Sequence, residues 1–209
     1  MARLLKRRAA IASSAALLGT AALCLPSVGL RAQSALPKGP VRLLVGYSPG
    51  GPADSMARLI AQKFSDRTGL TTLVENKPGA GGVIATEMVS KALPDGNTLI
   101  LANMASTIMA KLTYPKLPYD PQKDLAPVSL VSTFQHALSV IPSVPVADTV
   151  QFATWAKANP GKANFGVPAI GGLSHFFGLM LGKAIGVDMQ PVPYKGTAPM
   201  LIDLNSGQL

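Results

Sequence analysis

Val41-Arg42-Leu43-Leu44-Val45-Gly46-Tyr47-Ser48-Pro49-Gly50-Gly51-Pro52-Ala53-Asp54 joins an apolar run to a turn rich in glycine and proline. Met56, Leu59, Ile60 and Phe64 follow at helical spacing, and Gly69 lies past the helix end. The segment therefore predicts a buried strand, a loop and a helix. The same order repeats downstream. Leu70 to Val74 predicts a strand, Gly82 to Leu93 a helix with Ile84, Met88 and Ala92 on one face, Pro94-Asp95-Gly96-Asn97 a turn, and Thr98 to Ala102 a third strand. Strand–helix alternation of this length predicts an α/β fold with a mainly parallel sheet.

Beyond it, residues 111–127 predict an irregular loop, and Val128 to Val131 and Ala137 to Ile141 predict strands. Asp148 is positioned to cap a helix through Ala158, which Asn159-Pro160-Gly161 ends. A second series follows, with a strand over Ala163 to Gly166, a helix near Ser174 to Ile185, a strand near Met189 to Val192 and a helix near Ala198 to Asn205. A change of domain is expected near residues 135–147, giving a first lobe over 35–138 and a partial second lobe over 139–209. The chain stops at Gly207-Gln208-Leu209, where another strand is expected, so the second lobe is expected to be incomplete.

The first 34 residues read as a targeting segment: a basic start (Arg3, Lys6, Arg7, Arg8), an apolar run from Ala9 to Leu25, and small residues at Ala32-Gln33-Ser34. The run is shorter than the roughly 20 residues of a spanning helix, so export with cleavage after Ser34 is expected. Arg7-Arg8 lacks the following residues of a strong twin-arginine signal, and Leu23 before Cys24 argues against a lipid anchor. Cys24 is the only cysteine, so residues 35–209 carry no thiol for a disulfide or a thiolate metal site. Removing Arg3, Lys6, Arg7, Arg8 and Arg31 from 19 basic residues leaves 14 against 10 acids, a net +4. That mild excess suits an anionic ligand. With no basic run after residue 34 and 5% aromatics, it gives no nucleic-acid footprint.

Gly46-Tyr47-Ser48-Pro49-Gly50 also fits the G-x-S-x-G pattern of a hydrolase nucleophile elbow. Pro49 argues against that chemistry. The oxyanion hole of such an elbow needs the backbone N–H of the residue after the serine, and proline has none. No motif pairs His136 or His175 with Ser48. The same loop reads as a ligand loop, with Tyr47, Ser48, Pro49, Gly50, Gly51, Ala53 and Asp54 as candidate contacts. Its glycines allow close approach, and the helix that follows offers amides and the positive end of its dipole to a carboxylate. A plain turn with Asp54 as helix cap is the alternative. Pro78-Gly79-Ala80-Gly81-Gly82 fails the dinucleotide fingerprint, because the third small position falls on Ile84, and reads as a tight turn with anion contact as the lesser reading. Asn103, Ala105 and Ser106 end the third strand, where open α/β sheets bind ligands; Ser106 and Thr107 either donate to the ligand or cap a helical turn. The matching second-lobe loop contributes Pro168, Ala169, Gly171, Gly172 and His175, the histidine being a contact or a packed cap. The two histidines fit no metal spacing, so neither metal nor cofactor is expected.

These stretches together resemble the Bug-type receptors, the substrate-binding components of tripartite tricarboxylate transporters. The resemblance rests on Pro40-Val41-Arg42-Leu43 leading into Pro49-Gly50-Gly51 and Asp54, Glu75-Asn76-Lys77-Pro78-Gly79-Ala80-Gly81-Gly82, and Pro94-Asp95-Gly96 with Thr98-Leu99. It continues through Tyr119-Asp120 with Lys123-Asp124-Leu125-Ala126-Pro127, and Pro193-Tyr194-Lys195-Gly196 with Ala198-Pro199, Asp203-Leu204 and Gly207-Gln208. It implies a two-lobed, type II-like periplasmic binding fold that closes on a small organic acid and delivers it to a membrane permease. A monomer is expected. A ligand sensor for a membrane signalling protein is the alternative role, with a serine hydrolase using Ser48 behind it. The chain departs from the family's second-lobe loop, with Val167 and Gly172 at hydroxyl positions and Ala169 at a glycine position. That departure implies a less polar, monocarboxylic or aromatic ligand. Family members also continue well past residue 209, which bears on whether this length of chain closes or binds.

Overall fold

Val41–Val45 forms β1, the middle strand of a three-stranded parallel sheet, in a computed structural model that describes residues 37–209. The signal-segment, twin-arginine and Cys24 readings lie outside those residues. β2 (Thr72–Asn76) and β3 (Thr98–Leu101) flank β1, giving the order β2-β1-β3. The register sets Leu43 beside Val74 and Leu99, and Val45 beside Asn76 and Leu101. Val41, Leu44 and Val45 are at most 1% exposed, so β1 is covered on both faces, as the unbroken apolar run requires. Each such side chain contributes roughly 1.5–3 kcal/mol of burial.

α1 (Pro52–Thr68) connects β1 to β2. Its buried positions are Asp54, Ala57 and Ala61, while Leu59 is 52% exposed. Of the expected face, Ile60 packs on the core and Met56 and Phe64 are half-buried, whereas Leu59 turns outward. Ala57, with no side chain beyond a methyl, lets the helix backbone settle closely on Leu43 and Val45. α2 (Val83–Ser90) follows a tight turn over Ala80–Gly82 and connects β2 to β3. It buries Val83, Ala85 and Thr86 instead of the expected Ile84 and Met88 face. The turn passes against Gly46, which aims the helix entry, and the Ile84 side chain lies over Gly79 instead. Thr86 is fully buried and donates to the Gly82 carbonyl at 2.9 Å. After β3, a π-helical turn (Ala105–Met109) runs into α3 (Ala110–Thr113).

A second parallel pair, β4 (Asn164–Val167) and β5 (Gln190–Pro193), is surrounded by α4 (Thr149–Ala158), α5 (Leu173–Ile185) and α6 (Thr197–Ser206). Asp148 caps α4 as expected, accepting from the Gln151 N–H at 2.8 Å. Phe152 and Ala156 of α4 pack with Ala163 and Met189, and Trp155, Phe165, Leu181 and Ile185 close around them. The strands and helices expected for this half are present within one or two residues. Both sheets belong to one compact unit, Leu36–Leu209.

The strands expected over Val128–Val131 and Ala137–Ile141 are not formed. Residues 125–141 have no regular structure, and Val128, Leu130 and Phe134 are 82%, 81% and 72% exposed. β-branched composition marks a stretch that fits a pleated surface, but a strand also needs a neighbour's amides and carbonyls, and none pairs with this stretch among the described residues. No described helix is long and apolar enough to cross a membrane.

Candidate functional site

The chain leaves β1 for β2 on one side and later returns to place β3 on the other, so the connections diverge at the carboxyl ends of β1 and β3. That divergence is where open α/β sheets form their ligand crevice. The loop after β1 enters it first. A methyl group at Gly46 would stand 2.5 Å from the Gly82 Cα, so the loops after β1 and β2 are in backbone contact. Gly82 in turn faces Ser106, from the turn after β3. The second sheet supplies the opposite wall. Gly81 faces the Ala169 methyl, Gly172 faces that of Ala105, and Gly51 lies beside Thr197 and Ala198. Five strand ends thus meet in one place.

Four helices begin there, and none has a side-chain cap. The capping positions of α1, α2, α5 and α6 are Gly51, Gly82, Gly172 and Gly196, with no side-chain hydrogen bond at any of them. The first turns of α2, α5 and α6 contain no acid. α4, which starts away from these loops, carries the ordinary Asp148 cap. Helix starts bear partial positive charge. Four of them brought together, three without an acid in the first turn and the fourth, α1, with Asp54, make a place where an anion is stabilised by main chain.

Asp54 lies in this first turn yet is already committed. It is 4% exposed and accepts from the Gly50 N–H at 3.0 Å, Arg58 Nε at 3.0 Å and Asn76 Nδ2 at 2.9 Å. The Arg58 hydrogen bond, with those from Gly50 and Asn76, outweighs burial and holds its carboxyl at about 2. Asp54 is therefore neither the helix cap nor a free partner for a ligand. It is the anchor of the loop. Asn76, which the sequence reading did not single out as a site residue, completes that anchor by also donating to the Tyr47 carbonyl at 3.1 Å.

The other expected contacts divide into two groups. Ser48, Gly51, Ala105, Ser106, Ala169 and Gly172 border the junction of the loops. Pro49 and Gly50 sit exposed at its rim, and Pro168 is half-buried in the facing loop. Tyr47 and Asn103 are bonded to each other, Asn103 Nδ2 donating to the Tyr47 hydroxyl. Ala53 packs with the core under the loop. Gly171 donates its N–H to His175 Nδ1 at 3.3 Å, so the histidine braces its own loop. Thr107 donates back to the Asn103 carbonyl at 2.8 Å. His136 lies between the rings of Phe134 and Phe177, 5.3 and 5.2 Å away.

Ser48 spans the two sheets. Its amide and its hydroxyl both donate to the Lys195 carbonyl, at 2.8 and 2.9 Å. The Lys195–Ala198 loop was visible in the sequence only as part of a family motif; its β5-to-helix position is the signal that places it at the crevice. Among the described residues, the Ser48 hydroxyl donates to the Lys195 carbonyl, and His175 and His136 make their contacts elsewhere, with Gly171 and with Phe134 and Phe177.

Residues 56–209 match the family described as tripartite tricarboxylate transporter family receptor. The protein BugT of Bordetella pertussis is 33% identical over 82% of this chain and 53% of its own length. A solved R. palustris protein with adipate is similar at 35% identity and a TM-score of 0.79, over 83% of this chain and 58% of that one. MatC from Rhodopseudomonas palustris, solved with bound malate, gives 32% and 0.73 over 83% and 59%. The chain spans about half the length of the curated relatives it matches.

Proposed function

Since the chain belongs to the tripartite tricarboxylate transporter receptor family, whose fold is the α/β periplasmic binding fold, we propose that it is a periplasmic solute receptor that captures a small carboxylate for a membrane permease. The observation that carries this reading is the meeting of four uncapped helix starts at the carboxyl ends of β1–β5. A carboxylate satisfies them, and a neutral solute leaves their dipoles opposed. On this reading the acid's carboxylate replaces the Lys195 carbonyl as the partner of the Ser48 amide and hydroxyl. The solved relatives with adipate and malate support an organic acid as the ligand class. Export across the inner membrane, the first lobe over 35–138 and the second over 139–209 are parts of the same proposal.

The second-sheet wall refines the ligand. Val167 is fully buried, Ala169 is 5% exposed and Ala198 presents a methyl to Gly50, while Ala105 of the first sheet faces Gly172 across the junction. A wall of methyls receives an apolar ligand body better than further carboxylates or hydroxyls. Benzoate and adipate are therefore expected to stabilise the protein more than citrate does.

Thermal unfolding of the full chain with adipate, malate, benzoate and citrate, each beside its neutral amide, tests both statements. A ligand at about 100 times its Kd adds roughly 2.7 kcal/mol, which is a rise in Tm of about 5–10 °C for a chain of this size. An equal response to acids and amides would refute the anion site. A clear preference for citrate would refute the apolar wall.

A further inference from the structure

The turn between β2 and α2 takes an unusual path. Ala80 has φ +48°, the only positive φ outside glycine among the described residues, and Gly81 and Gly82 follow at +65° and +97°. An alanine is strained in that region, where glycine is not. Two tyrosines from different elements hold the turn. Tyr114, at the end of α3, donates its hydroxyl to the Ala80 carbonyl at 3.2 Å. Tyr47, in the loop after β1, donates to the next carbonyl, Gly81, at 3.4 Å. The Tyr47 hydroxyl is itself fixed, since it accepts from Asn103 Nδ2, whose Oδ1 accepts the Ser106 N–H at 3.3 Å. Burial pushes the Tyr47 phenol up, against the opposing Asn103 bond, so the hydroxyl keeps its donor proton across the neutral range.

The turn lies between the two walls of the crevice. On one side it touches Gly46 and Ser106, and on the other it faces Ala169 and the Ile170 carbonyl. Resting on the carboxylate-receptor reading, we propose that Tyr47 and Tyr114 are positioning residues: their hydroxyls hold successive carbonyls of the Ala80–Gly82 turn in its left-handed path and so keep the loops after β1, β2 and β4 at the spacing that receives the ligand. Neither phenol is a ligand contact. The two carbonyls face the tyrosines, so each peptide plane of the turn has its orientation imposed from outside the turn.

The test uses the full chain with Tyr47→Phe, Tyr114→Phe, Ala80→Gly and the pair Tyr114→Phe/Ala80→Gly. Tyr114→Phe is expected to weaken the best-bound acid of the adipate, malate, benzoate and citrate panel about fivefold, the loss of one ordinary hydrogen bond, and Tyr47→Phe, which also takes the acceptor from Asn103, by at least as much. Amide hydrogen exchange at Gly81, Gly82 and Val83 is expected to quicken in both phenylalanine variants, with α4 unchanged. Ala80→Gly removes the strain that the Tyr114 bond offsets, so it is expected to restore affinity to Tyr114→Phe. A purely structural tyrosine gives a lower Tm with no change in affinity and no rescue. Unchanged affinity and exchange in both phenylalanine variants overturns the inference, as does an Ala80→Gly change that deepens the defect. If the wild-type chain binds none of the four acids, the functional reading fails, and the exchange of the turn amides still decides the role of the tyrosines.

Discussion

Gly46→Ala is expected to lower Tm by about 6–12 °C and to abolish the response to any carboxylate. The added methyl stands 2.5 Å from the Gly82 Cα and 3.4 Å from its carbonyl carbon and oxygen. These are backbone atoms at the start of α2, and Gly82 is itself packed against Ser106. Neither loop can yield without moving a helix start. Overpacking of a closed site costs about 1–3 kcal/mol, and for a chain of this size each kcal/mol moves Tm by about 2–4 °C. The upper end applies here because no flexible side chain lies in the path. Gly166→Ala is the matched control. Its methyl would meet the Leu209 Cδ2 at 2.5 Å and the Met200 Cγ at 2.7 Å, both on side chains that can rotate away. It is expected to cost under half as much and to leave carboxylate binding in place. Calorimetric melting of both variants, with and without adipate, separates the cases. A Gly46→Ala protein as stable and as responsive as the wild type would show that the two loops do not share this contact in solution.

The parts legible in the sequence are those where local rules and tertiary context agree. β1 with its glycine turn, the Asp148 cap and the strand–helix order of both halves follow from runs, caps and breakers that need no knowledge of neighbours. The strands expected near Val128 and Ala137 fail because strand pairing is not a local property. The faces expected for α1, at Leu59, and for α2 fail for a related reason. A periodicity argument favours large apolar residues such as Leu59 and Met88, whereas the buried positions here are the small Ala57, Ala61 and Ala85. Within the site, the glycine loops were legible, but the partners of their polar groups were not. Tyr47, Asn103 and Asp54 were expected to face a ligand. Their bonds to one another's loops come from residues 22 to 56 positions apart in the chain, which no spacing rule connects. Asn76 illustrates the difficulty: a single asparagine at a strand end gives no signal until the Tyr47 carbonyl and the Asp54 carboxylate are seen beside it.

Asp54→Ala is expected to be the most damaging change of a single polar side chain, at about 2–4 kcal/mol. It strips the acceptor from the Gly50 N–H, Arg58 and Asn76 together, freeing the loop that carries Ser48. Asp54→Asn preserves the shape but removes the charge and sets an amide N–H against at least one of the three donors, so it is expected to recover less than half of the loss. The charge itself has a pH signature. The folded carboxyl titrates at about 2, against about 3.9 in the unfolded chain. Because the folded value is depressed, the unfolded chain binds a proton first as pH falls. The stabilisation is then full above about pH 5 and is lost as pH drops from about 4 through 2, to a total on the order of 2 kcal/mol. The Arg58 hydrogen bond is the largest cause of the depression, with Gly50 and Asn76 adding to it, and because the Arg58 side chain is 55% exposed, salt is expected to reduce the effect in part. Melting curves of wild type and Asp54→Asn between pH 2 and 6 should therefore converge at the acid end, separate as pH rises from about 2 to 4, and keep a constant gap above about pH 5. Parallel curves across that range would mean that the carboxylate is not held ionised by these partners, and the loop it anchors would need another support.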